Sequence, residues 1–135
     1  MIRLEQARAL LLAAMETQGR DFKYIQGTSS GCYYEPVTKI KVGSEYKILD
    51  EDDNRCKTGC LIGVALTLAG EARHLGFPEG VIDLHERHHG MMSDAACTYF
   101  SVAQKSQDVG YSWGASYDKA EDWANRYTAR NPGID

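Results

Sequence analysis

"TGCLIGVALTLAG", residues 58–70, is apolar almost all the way round a helical wheel, and its reading decides how the rest of the chain is arranged. A helix with no polar face has no side to give to water, so it belongs at the centre of the domain. Cys60, Leu61, Val64, Ala65 and Leu68 can share one broad face of it. Gly59 and Gly63, four apart and lacking a Cβ, would let another element approach the helix backbone closely.

Working outward, the residues that must cover this helix are patterned to do so. Leu4, Ala7, Leu11 and Ala14 recur at helical spacing, with Arg3, Glu5, Gln6 and Arg8 on the polar side and Gly19 as the stop. Beyond the apolar helix, "FPEGVIDLHERHHG" (77–90) predicts a short helix after Pro78 that ends at Gly90. Ser93 is placed to cap "DAACTYFSVAQKSQD" (94–108), whose inner stripe is Ala96, Tyr99, Phe100 and Ala103. Gly110 stops that helix and Ser112 caps the last one, where Trp113, Tyr117, Ala120, Ala124 and Tyr127 give the cleanest periodicity in the chain. "NPG" (131–133) ends it.

Between the first helix and the apolar one the chain changes character. "FKYIQ" (22–26), "CYYE" (32–35), "VTKIKV" (37–42) and "YKILD" (46–50) are rich in β-branched and aromatic residues and are separated by Gly27, Gly31, Pro36 and Gly43. They predict a small antiparallel meander of three strands, or four short ones. "DEDDNR" (50–55) follows as an acidic turn. It resembles the start of a calcium loop, but Arg55 stands where the required glycine would be and Leu61 where the closing glutamate would be. The expected fold is therefore α+β in one domain, 1–135: an N-terminal helix, a small antiparallel sheet, and three to four C-terminal helices packed around the 58–70 helix.

Composition narrows the function classes. A chain of 135 residues can bury a real core, and 43% hydrophobic with 25% charged residues is ordinary for a globular protein. The net charge of −4 gives no electrostatic footprint for nucleic acid or an anionic membrane. No stretch approaches the roughly 20 apolar residues of a membrane span, and Glu5 and Arg8 interrupt the opening apolar run, so a signal peptide is not expected. Cys32, Cys56, Cys60 and Cys97 are too few and scattered for a disulfide framework, which points to reduced thiols in the cytoplasm.

One string invites a catalytic reading. His85, Glu86 and His89 satisfy H-E-x-x-H, in which two imidazoles one helical turn apart hold zinc and the glutamate acts as general base. Against it, Arg87 puts a cation inside the motif and Gly90 ends the helix directly behind it. Met92 and Ala95 occupy the positions of a H-x-x-G-x-x-H continuation, which leaves Glu121 as the distant candidate for a third ligand. A polar histidine cluster facing solvent is the preferred reading. Cys56 and Cys60 lack C-x-x-C spacing, and Cys97 beside Ala95 and Ala96 reads as a packed thiol and not a nucleophile. A helix-turn-helix over 102–122 fails because Ser116 and Lys119 sit where the second helix should be apolar, and Asp118, Glu121 and Asp122 would face phosphates.

Two blocks carry a family resemblance. "GCLIGVALTLAG" (59–70) and "AQKSQDVGYSWGASYDKA" (103–120) resemble the patterns C-[LIV]-[VI]-G-x-x-L-x-x-L-G and A-Q-x-x-Q-D-x-G-x-x-W-G-x-A of small accessory proteins encoded by actinobacteriophages of the mycobacteriophage type. Cys60, Gly63, Gln104, Asp108, Gly110, Trp113 and Gly114 match, and Ala69 departs from the pattern; the histidine string lies outside both blocks. The resemblance implies a phage gene product in an actinobacterial host and supplies no catalytic residues. Those matching residues are read as fold-defining: amide and carboxylate side chains for the free backbone groups at the helix–helix corner, and Trp113 to lock the two helices. The function expected is non-enzymatic protein–protein binding to a host or phage partner, with no cofactor and with homodimerisation open. Tyr33, Tyr34 and Tyr46, taken as exposed, with Asp50, Asp52 and Asp53 form the expected binding surface. The alternative is a small zinc-binding protein or zinc peptidase built on His85, His89 and Glu121.

Overall fold

The computed structural model describes residues 1–24, 33–75, 79–133 and 135. Among them the chain runs α1 (Leu4–Gln18), β1 (Lys39–Val42), β2 (Glu45–Ile48), α2 (Asn54–Lys57), α3 (Leu61–Leu68), a 3₁₀ turn (Ala72–His74), α4 (Val81–Arg87), α5 (Asp94–Asp108) and α6 (Trp113–Arg130). The fold is α+β and mostly helical, with a helix in front, a two-stranded antiparallel sheet, and the remaining helices behind.

The helical stripes bury as their spacing requires. Leu4, Ala7, Leu11 and Ala14 of α1 meet Ala96, Tyr99, Phe100 and Ala103 of α5 and Trp113, Ala120 and Ala124 of α6 in one core. Its hub is α5, which packs against α1, α3, α4 and α6, and not the 58–70 helix as expected, because α3 meets mainly α1 and α5. Ser93 Oγ accepts from Ala96 N at 3.1 Å and Ser112 Oγ from Ala115 N at 3.2 Å, so both predicted caps form. A parallel bridge between Ile2 and Met92 ties the start of α1 to the start of α5. None of the described helices is long and apolar enough to cross a membrane.

α3 is shorter than the apolar run and turned differently from the expected face. Thr58 is extended, Cys60 is the N-cap, and the buried side is Leu61, Ile62, Gly63, Ala65 and Leu66. Leu68 is 52% exposed and Val64 only partly buried. The helix is buried against α1 and α5 on one side and borders a groove on the other.

The sheet also differs from the expected meander, for a reason visible in its hydrogen bonds. Ile25, Gln26 and Cys32 lie outside the described residues, and residues 22–24 and 33–35 form no strand. Their carbonyls are spent on helix N-termini instead. Arg20 O accepts from Gly114 N (2.9 Å), Phe22 O from Trp113 N (2.8 Å) and Tyr33 O from Cys60 N (2.8 Å). Helix starts leave N–H groups without intrahelical partners, so strand-like sequence beside one is drawn off the ladder.

Contrary to the expectation from composition, the thiols are not all reduced. Cys60 is disulfide-bonded, whereas Cys56 and Cys97 are free; Cys32 lies outside the described residues. Two features hid this: the bond is set at a helix N-cap, where Cys60 reads as part of an apolar face, and the cysteine count is low.

Candidate functional site

The residues that shape the exposed surface are set by buried amides. Gln107 Oε1 accepts from Leu61 N at 2.8 Å and from Trp113 Nε1 at 3.0 Å, joining the starts of α3 and α6 to α5. One turn back, Gln104 Oε1 accepts from Val81 N at 2.8 Å, which fixes the start of α4, and its Nε2 donates to Tyr34 Oη at 3.3 Å. The glutamines thus serve helices distant in sequence. The α5–α6 corner is closed by main-chain bonds such as Gly110 N to Gln107 O. Asp108 accepts from Gln107 Nε2, which orients the amide.

Tyr34 is the link from this interior to the surface. It is 3% exposed, contrary to its expected place on the surface, and burial pushes its phenol above the ordinary range. Its main chain lies directly on α3: a Cβ on Gly59 or Gly63 would stand 1.9 or 2.0 Å from Tyr34 O. The element that the two glycines admit is therefore the 33–36 segment. Gly114 does the same for Arg20, whose Cβ would be 2.7 Å away.

Held this way, residues 33–36 divide two grooves. One, of about 420 Å³, lies between Tyr34, Pro36 and the outward side of α3 at Val64 and Leu68. The other, of about 540 Å³, runs between Tyr33, Tyr34 and Pro36 and the hairpin residues Lys39, Lys41 and Tyr46, with Leu75 at its side. All three predicted tyrosines line this second groove, Tyr46 exposed and Tyr33 half-buried.

The hairpin is anchored at its base and bare beyond it. Ile40 and Leu49 are buried, Val37 N donates to Arg55 O, and Leu49 N donates to Thr38 O. The other residues of β1 and β2 are exposed, Ile48 at 81% and Tyr46 at 64%. Gly43, at φ +65, makes the two-residue turn. Cross-strand pairing puts Lys39, Lys41, Tyr46 and Ile48 on one face, and Lys39 Nζ sits 4.7 Å from the Tyr46 ring centre. Val42 and Ile48, exposed at 51% and 81%, were not among the expected binding residues.

The acidic turn is a separate feature. Asp50 and Asp52 are exposed, but Asp53 is the N-cap of α2 and grips Arg55, which is 8% exposed. Two bonds, Arg55 Nε to Oδ1 at 3.0 Å and Nη2 to Oδ2 at 2.9 Å, hold the Asp53 carboxyl below the usual range.

The zinc ligands are not brought together. α4 ends at Arg87 and Gly90 turns at φ +90, so His85 and His89 do not share a helical face. His85 Nε2 lies 2.8 Å from Asp94 Oδ1, His88 meets His74 at a tilt of 43° with ring centres 4.3 Å apart, and His89 is exposed. The expected solvent-facing cluster is therefore split three ways. Glu121 is held elsewhere, by both Arg8 Nε and Nη2 at 3.0 and 2.9 Å and by Tyr99 Oη at 2.7 Å. Among the described residues no group of three or more His, Cys, Asp or Glu is placed to hold a metal ion. Burial pushes the Cys97 thiol up to about 11, which leaves it protonated and poorly nucleophilic at neutral pH.

Comparison with protein-family models, with curated proteins and with solved structures finds no match to this chain.

Proposed function

We propose that this protein is a non-enzymatic binding module, an accessory protein of an actinobacterial phage, that engages a host or phage protein through the groove beside the hairpin. The observation that carries the reading is the exposed cationic and apolar face of Lys39, Lys41, Tyr46 and Ile48 bordering that groove. An aromatic and lysine stems offer large contact area, and the buried Tyr34 makes the groove wall rigid. The phage origin is supported by the two sequence blocks, whose residues build the framework beneath the groove. The Cys60 disulfide fits oxidising surroundings better than the reducing cytoplasm expected from composition.

The test is affinity capture from phage-infected actinobacterial lysate, comparing the native chain with Lys39→Glu/Lys41→Glu and with Glu16→Gln on the exposed side of α1. A partner retained by the native chain and by Glu16→Gln, and lost with the double charge reversal, is the expected result. Equal recovery by all three chains would reject this surface.

A further inference from the structure

The outer edge of β2 raises a question separate from the groove. Lys39 pairs with Ile48, Ile40 with Lys47, Lys41 with Tyr46 and Val42 with Glu45, and Leu49 N donates to Thr38 O. In an antiparallel ladder, hydrogen-bonded and non-hydrogen-bonded pairs alternate. Counting from Thr38–Leu49, the residues that turn their N–H and C=O inward are Lys47 and Glu45. Tyr46 and Ile48 therefore turn theirs to the outer edge, where no further described strand pairs with them. All four residues of β2 are exposed, and Ile48 and Tyr46 are so at 81% and 64%. An open edge carrying large apolar side chains is a template for another strand.

The order of charges says which strand. Glu45-Tyr46-Lys47 is self-complementary when read against itself in the antiparallel direction. We infer that two copies of this chain associate through β2, antiparallel about a twofold axis at Tyr46, forming a continuous four-stranded sheet. In this register Tyr46 pairs with the partner's Tyr46, and the outward main-chain groups of both meet. Glu45 lies opposite the partner's Lys47, and the twofold repeats that pair. Ile48 lies diagonal to the partner's Tyr46 on the same face, so the two most exposed hairpin apolars cover each other.

Other occupants of the edge are less well matched. A nucleic acid would meet Glu45 and the run Asp50, Glu51, Asp52 on a chain of net charge −4. An acidic peptide would satisfy Lys47 but face Glu45. Pairing with a second copy satisfies both. It leaves Lys39 and Lys41 open, draws Tyr46 and Ile48 of the proposed binding face into the seam, and sets two grooves on the same side of one sheet. The edge pairing rests on β2 alone and does not require that the groove bind a partner.

A strand this short buries less than a standard interface, so association is weak and is read over a concentration series by sedimentation equilibrium. The native chain is expected to dimerise reversibly below on the order of 1 mM. Glu45→Lys and Lys47→Glu each replace two attractive cross-strand pairs with two repulsive ones and are expected to weaken the dimer roughly tenfold. Both positions are exposed, so circular dichroism should show unchanged folding. The double exchange Glu45→Lys/Lys47→Glu restores the native affinity, and an equimolar mixture of the two single variants forms a heterodimer tighter than either homodimer. A native chain that stays monomeric to that concentration overturns the inference. So does a dimer unmoved by either single reversal, or single losses that neither the double exchange nor the mixture recovers.

Discussion

Gly63 shows how one missing atom organises the surface. In an ordinary helix interior, alanine is favoured over glycine by roughly 1 kcal/mol. Here the added Cβ would stand 2.0 Å from Tyr34 O and 2.5 Å from Tyr34 Cα, both main-chain atoms that no rotamer change can move. Gly63→Ala is therefore expected to destabilise the protein by about 1–3 kcal/mol, as overpacking does. Urea unfolding with an unchanged m-value would measure it, and a stabilised variant would contradict the packing of Tyr34 on α3. Cys60, three residues back, gives a second test at this scale. Alkylation of the unfolded, unreduced chain is expected to label Cys56 and Cys97 and to spare Cys60. Reduction should then cost about 2–4 kcal/mol of stability; full labelling of Cys60 without reductant would show that the bond does not form.

Among the elements, α4 and the turn after it carry His85, His88 and His89, and the fold gives each ring different surroundings. Burial holds the His88 imidazole below its ordinary value of 6.5, helped by Arg87 and by the neighbouring His74; Glu79 and Glu71 pull the other way. A depressed folded-state pKa means the unfolded chain takes up the proton first. The contribution is therefore complete above about pH 6.5 and is lost as pH falls below that value. Stability measured by thermal unfolding from about pH 7.5 down to about pH 5 is expected to decline on the acid side. His88→Gln should flatten that decline, and an identical slope in the variant would remove His88 as its source. His85 Nε2 faces Asp94, at the first turn of α5. Sequence spacing put His85 and His89 one turn apart, but the helix that would align them stops at Arg87.

For the whole molecule, the helical part was legible because a buried face repeats every three to four residues, and a long segment offers several repeats. α1 and α5 bury the residues their periodicity named, α6 buries Trp113, Ala120 and Ala124 but leaves Tyr117 and Tyr127 partly exposed, and Ser93 and Ser112 announce their helices by local chemistry alone. The hairpin turn at Gly43 was equally local. Strand number was less legible, because "FKYIQ" and "CYYE" have strand composition but their described main chain serves α6 and α3. The groove was half legible: three tyrosines were named, and all line it, yet the same sequence signal did not tell buried Tyr34 from exposed Tyr46. Nor did spacing reveal that Arg8, Tyr99 and Glu121 would converge across three helices.

By itself the sequence determined the helices, their caps and inner stripes, and the α+β class, since these depend on interactions within a few residues of chain. Only the tertiary structure decided which helix ends Gln104 and Gln107 would satisfy, that Tyr34 would lie against Gly59 and Gly63, and that no described strand would pair with the outer edge of β2. Each depends on which unpaired backbone group ends up within about 3 Å of which partner, a relation between segments that no local pattern encodes.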